Sequence, residues 1–170
     1  MKYLMKGGVL YQKEGEPACK IGTVPCGSHR TISQGNVQYQ AWVRPLESTE
    51  KGASGREYCL LAPQGQLVMR AIPHYRPGDD PAQVGWPLNH TPAVDRADLV
   101  WQKRHYLLEM VSCENYLLKN EQGDIALCVM HRGVAGGWRM ECDPEFQPWA
   151  VCAVFVFCRY LEQENQMITV

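Results

Sequence analysis

The sequence predicts a mainly β chain with one helix, an antiparallel sheet curled around an apolar helix close to the C-terminus. Three observations lead there. A hairpin-like segment recurs along the chain, residues 149 to 158 (WAVCAVFVFC) are apolar without a break, and the residues just before that run are those that start a helix. The chain has 170 residues, 45% hydrophobic and 21% charged, which is enough for one core and short for two. A single domain over 1–170 is therefore expected.

The repeat links REYCLLAPQGQLVMRA (56–71) to ENYLLKNEQGDIALCV (114–129): a shift of 58 places Tyr58 on Tyr116, Leu60 on Leu118, Gln64 on Gln122, Gly65 on Gly123 and Leu67 on Ile125. Each copy reads as an aromatic and aliphatic strand, a polar turn closed by glycine, and a second apolar strand. Glycine suits such turns because they commonly need a positive φ. GVLYQKEGEPACKIG (8–22) is a weaker third copy with Gly15 in the turn. Further strands are predicted at 37–43, 99–111 and 137–142. The thirteen residues of 99–111 are long for one strand, so a bend or bulge is expected near His105. Residues 44–57 read as a polar, mobile loop, and 72–95, with prolines at 73, 77, 81, 87 and 92, as a long loop of the kind that is either functional or poorly ordered.

A membrane helix needs about 20 apolar residues, and ten helical residues span only about 15 Å. Arg159 ends the run, so it is too short to span. Its valines and phenylalanines would suit a strand. Asp143, Pro144 and Glu145, followed by Pro148, favour instead a turn at 143–147 and a helix over 148–163, closed by the polar run Glu162 to Asn165. A helix apolar on every side must be covered on every side, and the available cover is the sheet. Each fully buried Val or Phe contributes about 1.5–3 kcal/mol, so this helix should dominate the core.

Repeated hairpins followed by an apolar helix, anchored at YLLKNEQGDIALCVM (116–130) and AVCAVFVFCRYLEQ (150–163), resemble the tubby C-terminal superfamily, with the phospholipid scramblases and LURP-one-related proteins among its members. The resemblance covers residues 7–170. It implies an antiparallel closed β-barrel of about twelve strands around a central hydrophobic helix. MITV (167–170) would be a last strand. It also implies a non-catalytic binding module with membrane lipid as ligand. Scramblase-type members carry an acidic segment linked to calcium. The matching ECDPE offers Glu141, Asp143 and Glu145, too few oxygen ligands and no turn glycine for a calcium loop, so helix capping is the expected role. No lipid-site position carries over residue by residue from the tubby proteins.

Composition narrows the partners. Seventeen Lys and Arg face eighteen Asp and Glu, which gives no electrostatic footprint for nucleic acid. MKYLMKGG lacks an apolar h-region and a cleavage site, so no secretory signal and a cytoplasmic location are expected. The eight cysteines sit among apolar neighbours without C-x-x-C spacing and read as buried, unpaired thiols rather than zinc ligands.

Catalytic motifs are sparse. Histidines 29, 74, 90, 105 and 131 form no H-x-x-x-H or H-E-x-x-H pattern. GSHR (27–30) and GASG (52–55) lack the strand-turn-helix setting of an activated serine, and Gly133, Gly136 and Gly137 suit a hairpin turn better than a phosphate cradle. The one constellation pointing to a ligand is Trp101, Lys103 and His105, which would alternate onto one face of a strand with Arg104 and Tyr106 on the other. Trp101, Lys103, Arg104 and His105 are thus the nominated ligand-binding residues, for an anionic phospholipid head group, a phosphorylated ligand or a protein partner, with no metal and no cofactor expected. Any association with a membrane would be peripheral and salt-sensitive. The alternative reading is a hydrolase-like enzyme whose site is assembled from loop residues, with His74 and His90 as its histidines.

Overall fold

The computed structural model describes residues 1–12, 15–24, 28–47, 50–85 and 92–166. Twelve strands follow one another around a closed barrel. The first six are β1 (Lys2–Lys6), β2 (Val9–Gln12), β3 (Pro17–Thr23), β4 (Arg30–Gln34), β5 (Val37–Pro45) and β6 (Arg56–Leu61). The others are β7 (Leu67–Tyr75), β8 (Val94–Trp101), β9 (Arg104–Ser112), β10 (Asn115–Asn120), β11 (Ile125–His131) and β12 (Trp138–Cys142). Each strand pairs antiparallel with the next, and β12 closes on β1 through Lys2↔Glu141, Tyr3↔Met140, Leu4↔Arg139 and Met5↔Trp138. Closure leaves none of the twelve described strands at a sheet edge.

The three sequence repeats are one structural device. Gly15, Gly65 and Gly123 have φ of +81°, +81° and +86°, and each donates its N–H back to the carbonyl three residues earlier, on Gln12, Ala62 and Asn120. The ladder slips by one residue just before each turn, at Leu10/Tyr11, Leu60/Leu61 and Leu118/Lys119. A turn closed by a left-handed glycine with an adjoining bulge twists the strands more strongly, and that twist helps a sheet curl shut.

Helix α2 (Pro148–Gln166) fills the barrel. Every residue from Ala150 to Cys158 is buried, and the helix packs against β3, β4, β5, β6, β8 and β9. Leu108, Leu118, Leu127 and Cys142, register partners across β9 to β12, form part of the inward face that meets it. Period-two alternation on the strands and all-round apolarity on the helix are thus two halves of one core.

Four expectations need correction. Residues 99–111 are not one bent strand: β8 ends at Trp101 and β9 starts at Arg104, with Gln102 and Lys103 forming the turn at φ of 51° and 63°. The long loop at 72–95 is shorter, because β7 runs on to Tyr75, β8 begins at Val94, and a short helix α1 (Pro81–Val84), capped by Asp80, lies between. The 44–57 segment is tied down where described: Ser54 N–H donates to Pro73 O at 2.9 Å and Tyr75 N–H to Gly52 O at 2.8 Å. Finally, Asp143 and Glu145 do not cap α2. The predicted turn at 143–147 forms, but α2 begins after it, so both acids stand a turn too early; Ala150 and Val151 donate to the Gln147 carbonyl instead. The expected strand at 167–170 and His90 lie outside the described residues.

The helix also continues past 163. Its closing polar run is structural: Asn165 Oδ1 accepts from Val94 N–H and its Nδ2 donates to Val94 O, both at 2.9 Å, while Glu164 turns inward.

Candidate anion-binding groove

Because α2 occupies the barrel, a ligand has only the outer wall and the mouths. A groove of ≈ 690 Å³ lies on the wall where β1 meets β2 and β12. Its origin is the alternation in MKYLMK: Tyr3 and Met5 point into the core, which leaves Lys2, Leu4 and Lys6 on the outer face. Leu4 pairs with Arg139 on one side and Tyr11 on the other. Leu4 and Tyr11 form an apolar floor, with Lys2, Lys6, Arg132 and Arg139 around it.

The β11–β12 connection is held against β1 by a close approach. Gly137 has φ of +80°, and a Cβ there would stand 2.5 Å from the Met5 carbonyl oxygen. Arg132 N–H donates to Gly137 O at 3.0 Å, and a 3₁₀ turn (Gly133–Ala135) spans the tip. The glycines here serve a hairpin turn, as the sequence predicts.

Charge in the groove is one-sided. Among the described residues four cations line it and no carboxylate does. Glu141, beside it, lies 3.5 Å from Lys2 Nζ and 3.6 Å from Arg139 Nε, so one carboxylate serves two cations. Among the described residues Lys6 and Arg132 have no carboxylate partner. Sequence reasoning missed this cluster because the net charge of −1 hides it and because its members come from opposite ends of the chain. The only local signal was Lys2, Leu4 and Lys6 at period two.

The nominated residues Trp101, Lys103, Arg104 and His105 do not share a face. Trp101 is only 2% exposed and points inward, where its ring lies 4.7 Å from Phe146. His105 pairs with Val100 on the outer wall. Arg104 Nη1 donates to Glu145 Oε2 at 2.5 Å, and the same carboxylate accepts from Tyr106 at 3.2 Å. Lys103 stands at the hairpin tip. The tip divides the four: Trp101 and Lys103 line one hollow, Arg104 and His105 another.

His74 lies on the outer face of β7, its Nε2 3.1 Å from Asp98 Oδ2 but off the line a hydrogen bond needs. It borders a hollow of ≈ 420 Å³ with Lys51, Arg76 and Arg96. Among the described residues no hydroxyl or thiol is hydrogen-bonded to His74, and no group of three His, Cys, Asp or Glu side chains could hold a metal ion. No described helix is long and apolar enough to cross a membrane.

The fold and the groove define a class: a closed antiparallel β-barrel filled by its own C-terminal helix, with a basic groove on its outer wall. Comparison with models of known families, with curated proteins and with solved structures finds no match for this chain.

Proposed function

We propose that the chain is a non-catalytic binding module of the tubby-like kind that docks peripherally on anionic phospholipid head groups at a cytoplasmic membrane surface. The observation that carries this reading is the β1–β12 groove, where among the described residues four cations line the surface and no carboxylate does. Basic residues near an anionic bilayer contribute about 1 kcal/mol each. Val134, fully exposed at the tip of the turn after Arg132, adds an apolar side chain beside the cations, as an interfacial contact requires. The resemblance of the hairpins and helix to the tubby superfamily favours the same reading. With the barrel interior filled, it needs no internal cavity.

Sedimentation with vesicles tests it. Binding to vesicles rich in phosphatidylserine is expected at low salt and should fall at 0.5 M salt, since charges near a surface are screened over about 8–10 Å at ordinary ionic strength. Lys6→Glu/Arg132→Glu should abolish it. Lys103→Glu/Arg104→Glu, at the pair nominated from the sequence, should leave most of it, because Arg104 is already paired with Glu145. Equal binding to neutral vesicles, or an unaffected Lys6/Arg132 variant, would overturn the proposal. Binding of soluble inositol phosphates without vesicles would move the ligand to a free phosphorylated compound.

A further inference from the structure

Gln102 and Lys103 are the only described residues other than glycine with positive φ, against thirteen glycines that share it. A two-residue hairpin turn of this kind ordinarily takes Asn-Gly, because side chains resist the left-handed region. Nothing in the pairing of β8 with β9 calls for Gln and Lys there; a strained backbone that keeps two long polar side chains at one spot is a reason to ask what they hold. Beside them lies a hollow of ≈ 600 Å³ at the barrel mouth where α2 begins. Its walls are Val68, Met69, Trp101 and Trp149, with Leu67 (41% exposed) and Val100 (37% exposed) at the rim. Trp149 is braced: its ring stacks on Tyr39 at 4.5 Å and meets Trp101 edge-on at 6.2 Å. Of the two cations here, Arg70 is engaged by Glu57, whereas Lys103 has no carboxylate partner among the described residues.

We infer that this hollow is a binding site for a small amphiphilic acid, whose apolar or aromatic body lies against Trp149, Val68 and Leu67 and whose acid group is met by Lys103 and Gln102. The volume suits one small ligand, and an apolar wall with few polar groups at the rim is the usual make-up of such sites. An aromatic or acyl body stacks on a fixed indole at little cost in side-chain entropy. Lys103, the cation here without a carboxylate partner among the described residues, selects an acid over a neutral analogue through the ion pair it would otherwise lack. This site is separate from the β1–β12 groove and does not depend on it.

The experiment uses two fluorescent probes with the same aromatic body, the anionic 8-anilinonaphthalene-1-sulfonate and the neutral N-phenyl-1-naphthylamine, titrated into the native protein. Saturable one-site binding of the sulfonate is expected, with energy transfer from tryptophan. Lys103→Gln should weaken the sulfonate at least fivefold and leave the neutral probe within twofold. Leu67→Asp, at an exposed position that does not threaten folding, should weaken both. Gln102→Asn/Lys103→Gly should raise the melting temperature by relieving the turn while losing the sulfonate's advantage. Non-saturable binding, equal sulfonate affinity in Lys103→Gln, or a comparable loss in Lys6→Glu/Arg132→Glu would overturn the site; the last would place the probe in the groove.

Discussion

Tyr58 Oη donates to Glu164 Oε1 at 3.2 Å, joining the inner face of β6 to the last turn of α2 where both residues are buried. The Arg56 guanidinium lies 3.9 Å from the other oxygen of the same carboxylate. An acid has been drawn into the mouth of the barrel and given two partners. The outer face of the same strand repeats the device with Glu57, which is held between Arg44 and Arg70.

These two acids should respond to pH in opposite directions. Burial raises the Glu164 pKa above its ordinary 4.5, a rise that Arg56 and Tyr58 only partly offset. A raised folded pKa means stability that is fully present below 4.5 and lost as pH rises through the folded value. Urea unfolding of Glu164→Gln should therefore overtake the wild type progressively from pH 4.5 towards neutrality; parallel curves would contradict this.

For Glu57, burial pushes the pKa up, but hydrogen bonds from Arg70 and Arg44 outweigh it and the pKa is lowered. Its stabilisation is present above the ordinary carboxylate value and is lost as pH falls through the lowered one. Glu57→Gln should cost roughly 2 kcal/mol at pH 7, less than the 3–5 kcal/mol of breaking a fully buried pair, because both arginines remain partly in water. The cost should vanish in strong acid.

Phe157 is fully buried between helix and wall, 5.7 Å from the Tyr58 ring. Phe157→Ala should destabilise by about 3–5 kcal/mol in chemical denaturation, and Phe157→Asp should prevent folding. Phe155→Asp is a gentler test, since Phe155 packs on Trp138 and Arg159 lies over that same ring, within reach of a new carboxylate.

Two glycines with similar φ should behave differently. Around Gly123 a Cβ would meet nothing within 4 Å, so Gly123→Ala should cost only the left-handed penalty, about 1 kcal/mol. At Gly137 the methyl would collide with the Met5 carbonyl, and the loss should be roughly 2–4 kcal/mol, together with reduced vesicle binding as the groove wall shifts. Equal losses at the two sites would refute the close approach of the turn to β1.

All seven described cysteines are unpaired, and Cys113 alone is exposed. Burial raises the Cys142 thiol to about 11 and raises Cys158 further, while Cys19, lowered by a hydrogen bond from Cys152, is itself buried. Brief alkylation of a native Cys26→Ser variant followed by peptide mass mapping should modify Cys113 first. Preferential labelling of Cys152 or Cys158 would mean that the barrel opens.

Much of the architecture was legible in the residues because it rests on local rules. The shared tyrosine, leucine and glycine positions of the hairpins report a turn that forms in the same way wherever it occurs, and a helix apolar on every face admits only an enclosing wall. The turn at Gln102 and Lys103 was hidden because neither residue advertises a left-handed conformation. Without a visible turn, Trp101, Lys103 and His105 appeared to share a face that the chain never makes.

Local chemistry thus determined the hairpins, the start of α2 at Pro148 and the burial of the apolar run, since period, turn stereochemistry and hydrophobicity act over a few residues. Only the tertiary structure decided the groove and the inward acid. Barrel closure sets Leu4 against Arg139, bringing cations from the two ends of the chain to one seam, and the seat of α2 carries Glu164, a member of the polar run that closes the helix, into contact with Tyr58. Both depend on partners more than a hundred positions apart in sequence, whose proximity is fixed by ring closure and core packing rather than by any feature of the segments themselves.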